Sequence, residues 1–268
     1  MRDRSPRPIK RLGQHFLVDE ELRDRVLAAA GITGDDEVLE VGSGPGTLTA
    51  GLVRIARRVV AVELDGRQLP ELREAAPGAE VVSADILKLD VAALFPEGGQ
   101  IVVGNIPYYL TGALIEKLLQ EPPRPRRLSL VVQREVAQRW CGLSGWSLAT
   151  VAVQTLAKPR IEFELPPEAF EPPPEVHSAL AVLEVRERPA VTVPDLGRFF
   201  RFVEVVFQFR RKQLGGSLVR ITGGDRGRVL TRFEDLGIDP QRRAETLSLA
   251  EWEAMFGAFG EDQAAARG

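Results

Sequence analysis

One cysteine, Cys141, is all the sequence contains, so no internal disulfide can form. Only two histidines, His15 and His177, accompany it, which leaves no cysteine and histidine ligand set of the kind a zinc site uses. No metal is expected. Long apolar runs are missing too, and nothing approaches the roughly 20 residues that a membrane helix needs. The opening MRDRSPRPIKRLG is charged and broken by proline, with no apolar stretch of the secretory kind. A cytoplasmic protein without a membrane partner is the expectation. Lysine is scarce, confined to Lys10, Lys88, Lys117, Lys158 and Lys212, so arginine carries most of the positive charge. The net charge of −3 speaks against a uniformly basic surface for nucleic acid. The positive charge is nonetheless clustered, in Arg2 to Arg11, Arg124 to Arg139 and Arg198 to Arg228. Arginine's planar fork suits phosphate pairing and base stacking, although each cluster reads equally well as a solvated face.

What is present is an alternation of short apolar strands and amphipathic helices, in a chain of 268 residues that has room for one large domain and a smaller one. A helix is predicted over Glu20 to Ala30, closed by Gly31. Strands are then predicted at Glu37 to Val41, Val59 to Val62, Glu80 to Ser83, Gln100 to Val103 and Leu128 to Val132. Between them helices are expected over Thr47 to Ala56, Arg67 to Ala75 and Gly112 to Leu119, with another from Arg134. That order implies an α/β fold with a doubly wound, mostly parallel sheet. Arg160 to Leu165 and Ala179 to Val185 read as two more strands that pair with each other across a proline-rich stretch. Beyond Pro189 only helical patterns follow, over Leu196 to Phe209, Gly227 to Leu236 and Leu249 to Phe259, and the patternless end is expected to fray. The predicted division is therefore an α/β domain over 1–190, with a basic tail over 1–12, and a small all-helical domain over 191–268.

The first strand runs into Gly42-Ser43-Gly44-Pro45-Gly46, a spacing that serves dinucleotide enzymes and methyltransferases alike. Its glycines let a ligand lie against the backbone, Gly42 closest with Gly44 behind it. Glu63, at the tip of the second strand, fits an acid that accepts hydrogen bonds from both hydroxyls of a ribose, with Leu64 beside it. Asp85, after the third strand, suits an adenine amine, and Ile86 offers an apolar wall for the purine.

The tip of the fourth strand separates the two classes. Asn105-Ile106-Pro107-Tyr108 resembles the N/D-P-P-Y/F signature of amino-methyltransferases that act on nucleobases. The lone pair of an exocyclic adenine amine is delocalised into the ring, so methylation requires the nitrogen to move from planar toward tetrahedral. Two acceptors favour that change. The side-chain oxygen of Asn105 and the main-chain carbonyl of Ile106 can each take one N–H, Pro107 stiffens the carbonyl, and Tyr108 can stack on the base. A dehydrogenase would want a catalytic His or a Tyr/Lys pair, and no position supplies one.

Assembled, these motifs resemble the KsgA-type small-subunit rRNA adenine dimethyltransferases over nearly the whole chain, from Arg11 to about Phe256. Gly13-Gln14-His15-Phe16-Leu17 is similar to the family's opening G-Q-x-F-L, EVGSGPG to its cofactor loop, and NIPYY to its N-L-P-Y element. VQREVAQR, PPEAFEPPPEVHSA, FQFRRKQL and RAETLSL are similar to further family segments, in order. The resemblance implies a Rossmann-like class I methyltransferase fold and S-adenosyl-L-methionine as cofactor. It implies cofactor contacts at Gln14, His15, Leu17, Gly42, Gly44, Glu63, Leu64, Asp85, Ile86 and Asn105. Methyl transfer would fall to Asn105, Ile106, Pro107 and Tyr108, with Phe170 as a second face for the base, and two successive additions call for slack around Leu114 and Phe170. The implied substrate is a pair of adjacent adenines in the 3′-terminal hairpin loop of 16S rRNA, in a partly assembled small subunit. A monomer is expected, with Lys10, Arg11, Arg210, Arg211 and Lys212 as RNA contacts. Arg211 pairing with an acid between the domains is the competing reading.

Two departures bear on substrate docking rather than chemistry. His177 stands where the family usually has aspartate, and the stretch from Arg139 to Leu148 is short, with Trp146 at a position where tyrosine is common. Two other readings stay open. One is the resistance-type dimethyltransferase of large-subunit rRNA, which shares the N-I-P-Y tetrad, and the other is a non-catalytic ribosome-assembly factor that keeps the fold.

Overall fold

The computed structural model describes residues 13–265. The described chain enters with a two-residue strand, β1 (Phe16–Leu17), and the helix α1 (Glu20–Ala30). This helix has the bounds its pattern predicts. The Asp19 side chain accepts the Leu22 N–H at its start, and Gly31, at φ 64°, closes it in the left-handed conformation that glycine adopts without strain. Then follow β2 (Glu37–Val41), α2 (Thr49–Ile55), β3 (Arg58–Glu63), α3 (Leu69–Ala75), β4 (Glu80–Ser83), α4 (Val91–Leu94), β5 (Ile101–Asn105), α5 (Thr111–Gln120), β6 (Arg127–Gln133), α6 (Arg134–Trp140) and α7 (Leu148–Leu156). Next are β7 (Ala157–Leu165), β8 (Phe170–Glu171) and β9 (Ser178–Val185), and last come α8 (Leu196–Phe207), α9 (Leu214–Thr222), α10 (Arg226–Leu236) and α11 (Leu249–Ala265).

Seven strands form one sheet in the order β4-β3-β2-β5-β6-β9-β7. The pairs from β4 to β6 are parallel, and β9 lies antiparallel between β6 and the edge strand β7. The expected pairing of the last two strands is present, with β9 the inner one. Alternation across the pleat explains why both faces are covered. In β5, Ile101 and Val103 enter one apolar cluster with Val26, Leu27 and Leu52, while Val102 enters the other with Leu114, Leu118 and Val151. The second of these clusters is continuous into the C-terminal helices through Phe199, Phe202, Phe233 and Trp252. Edge strand β7 exposes Lys158, Arg160, Glu162 and Glu164, which discourages pairing with another sheet.

Besides the four-residue helix α4, four features escape the sequence patterns, each for a physical reason. Helix α7 (LATVAVQTL) is buried on nearly every side, so it has no polar face to give a period. Helix α9 carries Gly215 and Gly216, poor helix formers, of which Gly215 packs close against Pro240. Strands β1 and β8 are two residues each and exist only through their mutual pairing, Phe16 opposite Glu171 and Leu17 opposite Phe170. The chain end expected to fray is helical, α11 continuing past Phe259 to Ala265.

Candidate active site

Strand order reverses between β2 and β5, and a crevice opens there at the carboxyl ends of the strands, where open α/β sheets bind ligands. A cavity of about 280 Å³ occupies it, lined among others by Gln14, His15, Gly42, Gly44, Glu63, Leu64, Asp85, Ile86, Asn105, Ile106, Pro107 and Tyr108. Residues drawn from five separate sequence motifs thus meet on one cavity. Gly42 has φ 71°, and a Cβ there would stand 3.7 Å from the Asn105 carbonyl and 3.8 Å from the Pro107 ring, filling the cradle between the two strand tips. Gly44, at φ 55°, would drive a Cβ to 2.9 Å from the Phe16 ring. The loop is tied down by Glu63, which is 6% exposed and accepts N–H groups from Gly44 at 2.8 Å and Asp65 at 2.7 Å, one per carboxylate oxygen. Each oxygen keeps a lone pair for a further donor such as a ribose hydroxyl. Burial raises the Glu63 pKa, against the pull of those N–H groups.

At the tip of β5 the Asn105 amide nitrogen donates to the His15 carbonyl at 2.6 Å. Because a carbonyl can only accept, this bond fixes the amide's orientation and leaves its oxygen without a partner among the described residues. Ile106 is 1% exposed and held to β6 by its N–H on the Val131 carbonyl at 3.0 Å. Pro107, at φ −53°, sets the entry to a 3₁₀ turn at Tyr108–Leu110. The Tyr108 hydroxyl bonds Ser178 Oγ at 3.0 Å, and its ring lies 5.8 Å from the His15 ring at an interplanar angle of 24°. Asp85 accepts the Leu87 N–H on one oxygen at 3.0 Å, with Lys88 Nζ 4.0 Å from the other.

The segment before α1 forms one wall of this cavity, where the resemblance of its opening element places Gln14 and His15. Gln14 donates to Asp65 at 3.1 Å, and His15 Nδ1 lies 2.6 Å from the Pro172 carbonyl. Asp65, whose pKa is lowered to about 2 by the Arg67 hydrogen bond above all, was not singled out, and neither were Phe16, Gly13, Leu87 or Tyr109, which also line the cavity. Three expected positions are not open to it. Leu17 is 3% exposed and Phe170 3%, packed together in one apolar cluster beneath the β1–β8 pair, and Leu114 is fully buried in the other. The structure therefore offers no slack at Leu114 or Phe170, and Phe170 presents no face to a base in this arrangement. Arg210, Arg211 and Lys212 are exposed between α8 and α9, far in sequence from the cavity residues, and none forms an ion pair with a described residue, which removes the bridging role weighed for Arg211. Lys10 and Arg11 lie outside the described residues.

Beneath the glycine loop, Glu40 is 1% exposed and its pKa rises to about 8, chiefly through burial, with Thr49 and Ser43 pulling the other way and Glu63 adding to the rise. Folded protein therefore holds a proton that an unfolded chain gives up near 4.5. The stability this proton contributes is complete below that pH and is lost as pH rises toward about 8. Glu40→Gln, neutral and of the same shape, is expected to flatten the fall in Tm between pH 5 and 9, read by circular dichroism melting. Parallel Tm profiles for the two proteins would refute a buried neutral carboxyl at Glu40.

Among the described residues no group of acids, cysteines and histidines is placed to hold a metal, and no helix is long and apolar enough to cross a membrane. The model for ribosomal RNA adenine dimethylase matches residues 8–260. Ribosomal RNA small subunit methyltransferase A of Pelotomaculum thermopropionicum is 40% identical, over 97% of this chain and 94% of that protein. Its counterpart from Sphingopyxis alaskensis is 41% identical, over 94% of each. Among solved structures, the 23S rRNA methyltransferase ErmE superposes with a TM-score of 0.69 at 30% identity, covering 91% of this chain and 99% of ErmE. A dimethyladenosine transferase from Plasmodium falciparum gives 0.73 at 23% identity, covering 92% and 98%, and so speaks to the fold. With a Rossmann-like sheet, a cavity at its switch point and a family match over almost the full length, the chain belongs to the ribosomal RNA adenine dimethylase family.

Proposed function

We propose that this chain transfers methyl groups from S-adenosyl-L-methionine to the N6 amine of adenine in small-subunit (16S) rRNA, twice on each of two adjacent adenines in the 3′-terminal hairpin loop. The observation that carries this reading is the tip of β5. There the Asn105 amide is spent on the His15 carbonyl, so that its oxygen is left, beside the Ile106 backbone, to accept an amine N–H. Donor chemistry around the cavity fits the cofactor: Gly42 leaves the cradle open, Glu63 has lone pairs for ribose hydroxyls, and Asp85 with Ile86 suits an adenine. Bound there, the cofactor would supply an electrophilic sulfonium methyl. Asn105 and the Ile106 carbonyl would draw the amine toward tetrahedral geometry and stabilise the positive charge that develops on nitrogen. Tyr108, braced by Ser178, would stack on the base. No side chain is needed as base, since the methylated ammonium is acidic enough to lose its proton to water. The reaction relies on positioning.

The curated relatives named for the small subunit, at 35–41% identity, support that substrate. The likeness to ErmE at 30% identity favours the large-subunit reading instead. The exposed Arg210, Arg211 and Lys212, with Lys10 and Arg11, serve as phosphate contacts, and residues 191–268 act as a helical recognition domain beside a methyltransferase domain over 1–190. The protein acts as a monomer in the cytoplasm, on a partly assembled subunit.

The test is transfer of labelled methyl groups to small subunits lacking the modification, with large subunits and free RNA alongside. Dimethyladenine in small subunits alone is the expected result. Label in large-subunit RNA would move the assignment to the resistance-type enzyme, and tight subunit binding without transfer would make the chain an assembly factor.

A further inference from the structure

Few large apolar side chains are left exposed among the described residues, and three of them, Leu64, Leu87 and Tyr109, stand on the lining of one cavity. Tyr109 is the one aromatic in that group, at 61% exposure. Its neighbour Tyr108 bonds Ser178 through its hydroxyl, whereas the Tyr109 hydroxyl has no partner among the described residues. Its ring is nonetheless held. It rises from the 3₁₀ turn that Pro107 initiates, and two of its ring carbons lie 3.6 and 3.8 Å from where a Gly13 Cβ would stand, so the ring lies alongside Gly13. Gly13 has φ 58°, a conformation that keeps this neighbour a glycine. The result is a largely exposed aromatic ring with one edge toward Gly13, at the lining of the cavity and one residue from the tyrosine proposed to stack on the target base.

We infer that Tyr109 is the stacking platform for the unpaired base next to the one being methylated. This rests on the proposed activity toward a base drawn out of a single-stranded loop. Extracting one base from such a loop removes a stacking partner from its neighbour, and an open aromatic at the mouth of the site replaces it. An aromatic face accepts any base, so Tyr109 would hold the neighbour without reading its identity. The same contact keeps the second of two adjacent bases at the mouth while the first is in the cavity.

Stacking of this kind acts on bound substrate and transition state alike, so it should show in KM rather than kcat. Tyr109→Ala is expected to raise KM for undermodified small subunits on the order of 10- to 100-fold, with a far smaller change in kcat. Tyr109→Phe should restore the wild-type KM, and Tyr109→Leu, apolar but without a π face, should resemble alanine. The decisive comparison uses reconstituted small subunits whose rRNA lacks the base at the neighbouring position. That substrate should raise KM for wild type to the Tyr109→Ala level and add nothing further to the variant. Additive losses, or an unchanged KM in Tyr109→Ala, would overturn the stacking role. Wild type failing to methylate small subunits at all would instead overturn the activity beneath it.

Discussion

Asn105→Ala should lose about 10²- to 10³-fold in kcat, the usual consequence of removing one preorganised hydrogen-bonding group from a reacting centre. In the proposed reaction the Asn105 oxygen would meet an N–H whose acidity grows as the nitrogen gains charge, so the bond would strengthen on the way to the transition state. KM for the RNA should move far less. The side chain also has a second duty, because its nitrogen holds the His15 carbonyl at 2.6 Å, and leaving that carbonyl unpaired costs about 1–3 kcal/mol. Loosening of the segment at residues 13–17 would reduce cofactor affinity in the variant. Gln14→Ala separates the two duties. It breaks the 3.1 Å bond to Asp65 and loosens the same segment without touching a reacting atom. Single-turnover transfer and cofactor titration on both variants should show comparable losses of affinity but a much deeper loss of rate for Asn105→Ala. Equal rate losses would reduce Asn105 to a tether.

The sheet was legible from sequence because each of its strands is either a continuous valine-rich run or a clean alternation, and because βαβ order permits few topologies. Residues that line the cavity were legible for a similar reason: Gly42, Glu63, Asp85 and Asn105 all stand at or just beyond strand tips, and a parallel sheet brings those tips to one edge. What stayed hidden depends on contacts between segments distant in the chain. Asp65 matters here because Gln14, 51 residues away, bonds to it, and no local pattern encodes that pair. Leu17 and Phe170 were expected at the cavity, yet strand pairing between them turns both side chains into the core. A two-residue strand has no period to detect. Tyr109 was passed over because an exposed aromatic and a core aromatic look identical in sequence, and only burial tells them apart.

Gly104 was also passed over, although a glycine inside a valine strand is a recognised mark of close backbone approach. Gly104→Ala is expected to destabilise the fold by about 1–3 kcal/mol, as overpacking in a filled core does. At roughly 2–4 °C per kcal/mol for a protein of this size, Tm should drop by several degrees. A Cβ at this position would stand 2.5 Å from the Val41 carbonyl oxygen and 2.7 Å from Ile106 Cδ1. Ile106 can change rotamer, but the Val41 carbonyl moves only if β2 moves, and β2 is held on its far side by pairing of Val41 with Val62. The strain is thus delivered to the junction between the β2 and β5 tips, where Gly42 and Asn105 flank the cavity. Cofactor affinity and transfer rate should fall further than the lost stability alone explains, even at temperatures where the variant is fully folded. Gly112→Ala is the control: nothing lies within 4 Å of its Cβ position on α5, so the same substitution should leave Tm unchanged or raise it, as a helix gains from alanine. If Gly104→Ala instead melts with wild type and binds cofactor normally, the two strand tips yield easily. The spacing of the site must then be set by the side-chain bonds of residues 13–17 rather than by the backbone of the sheet.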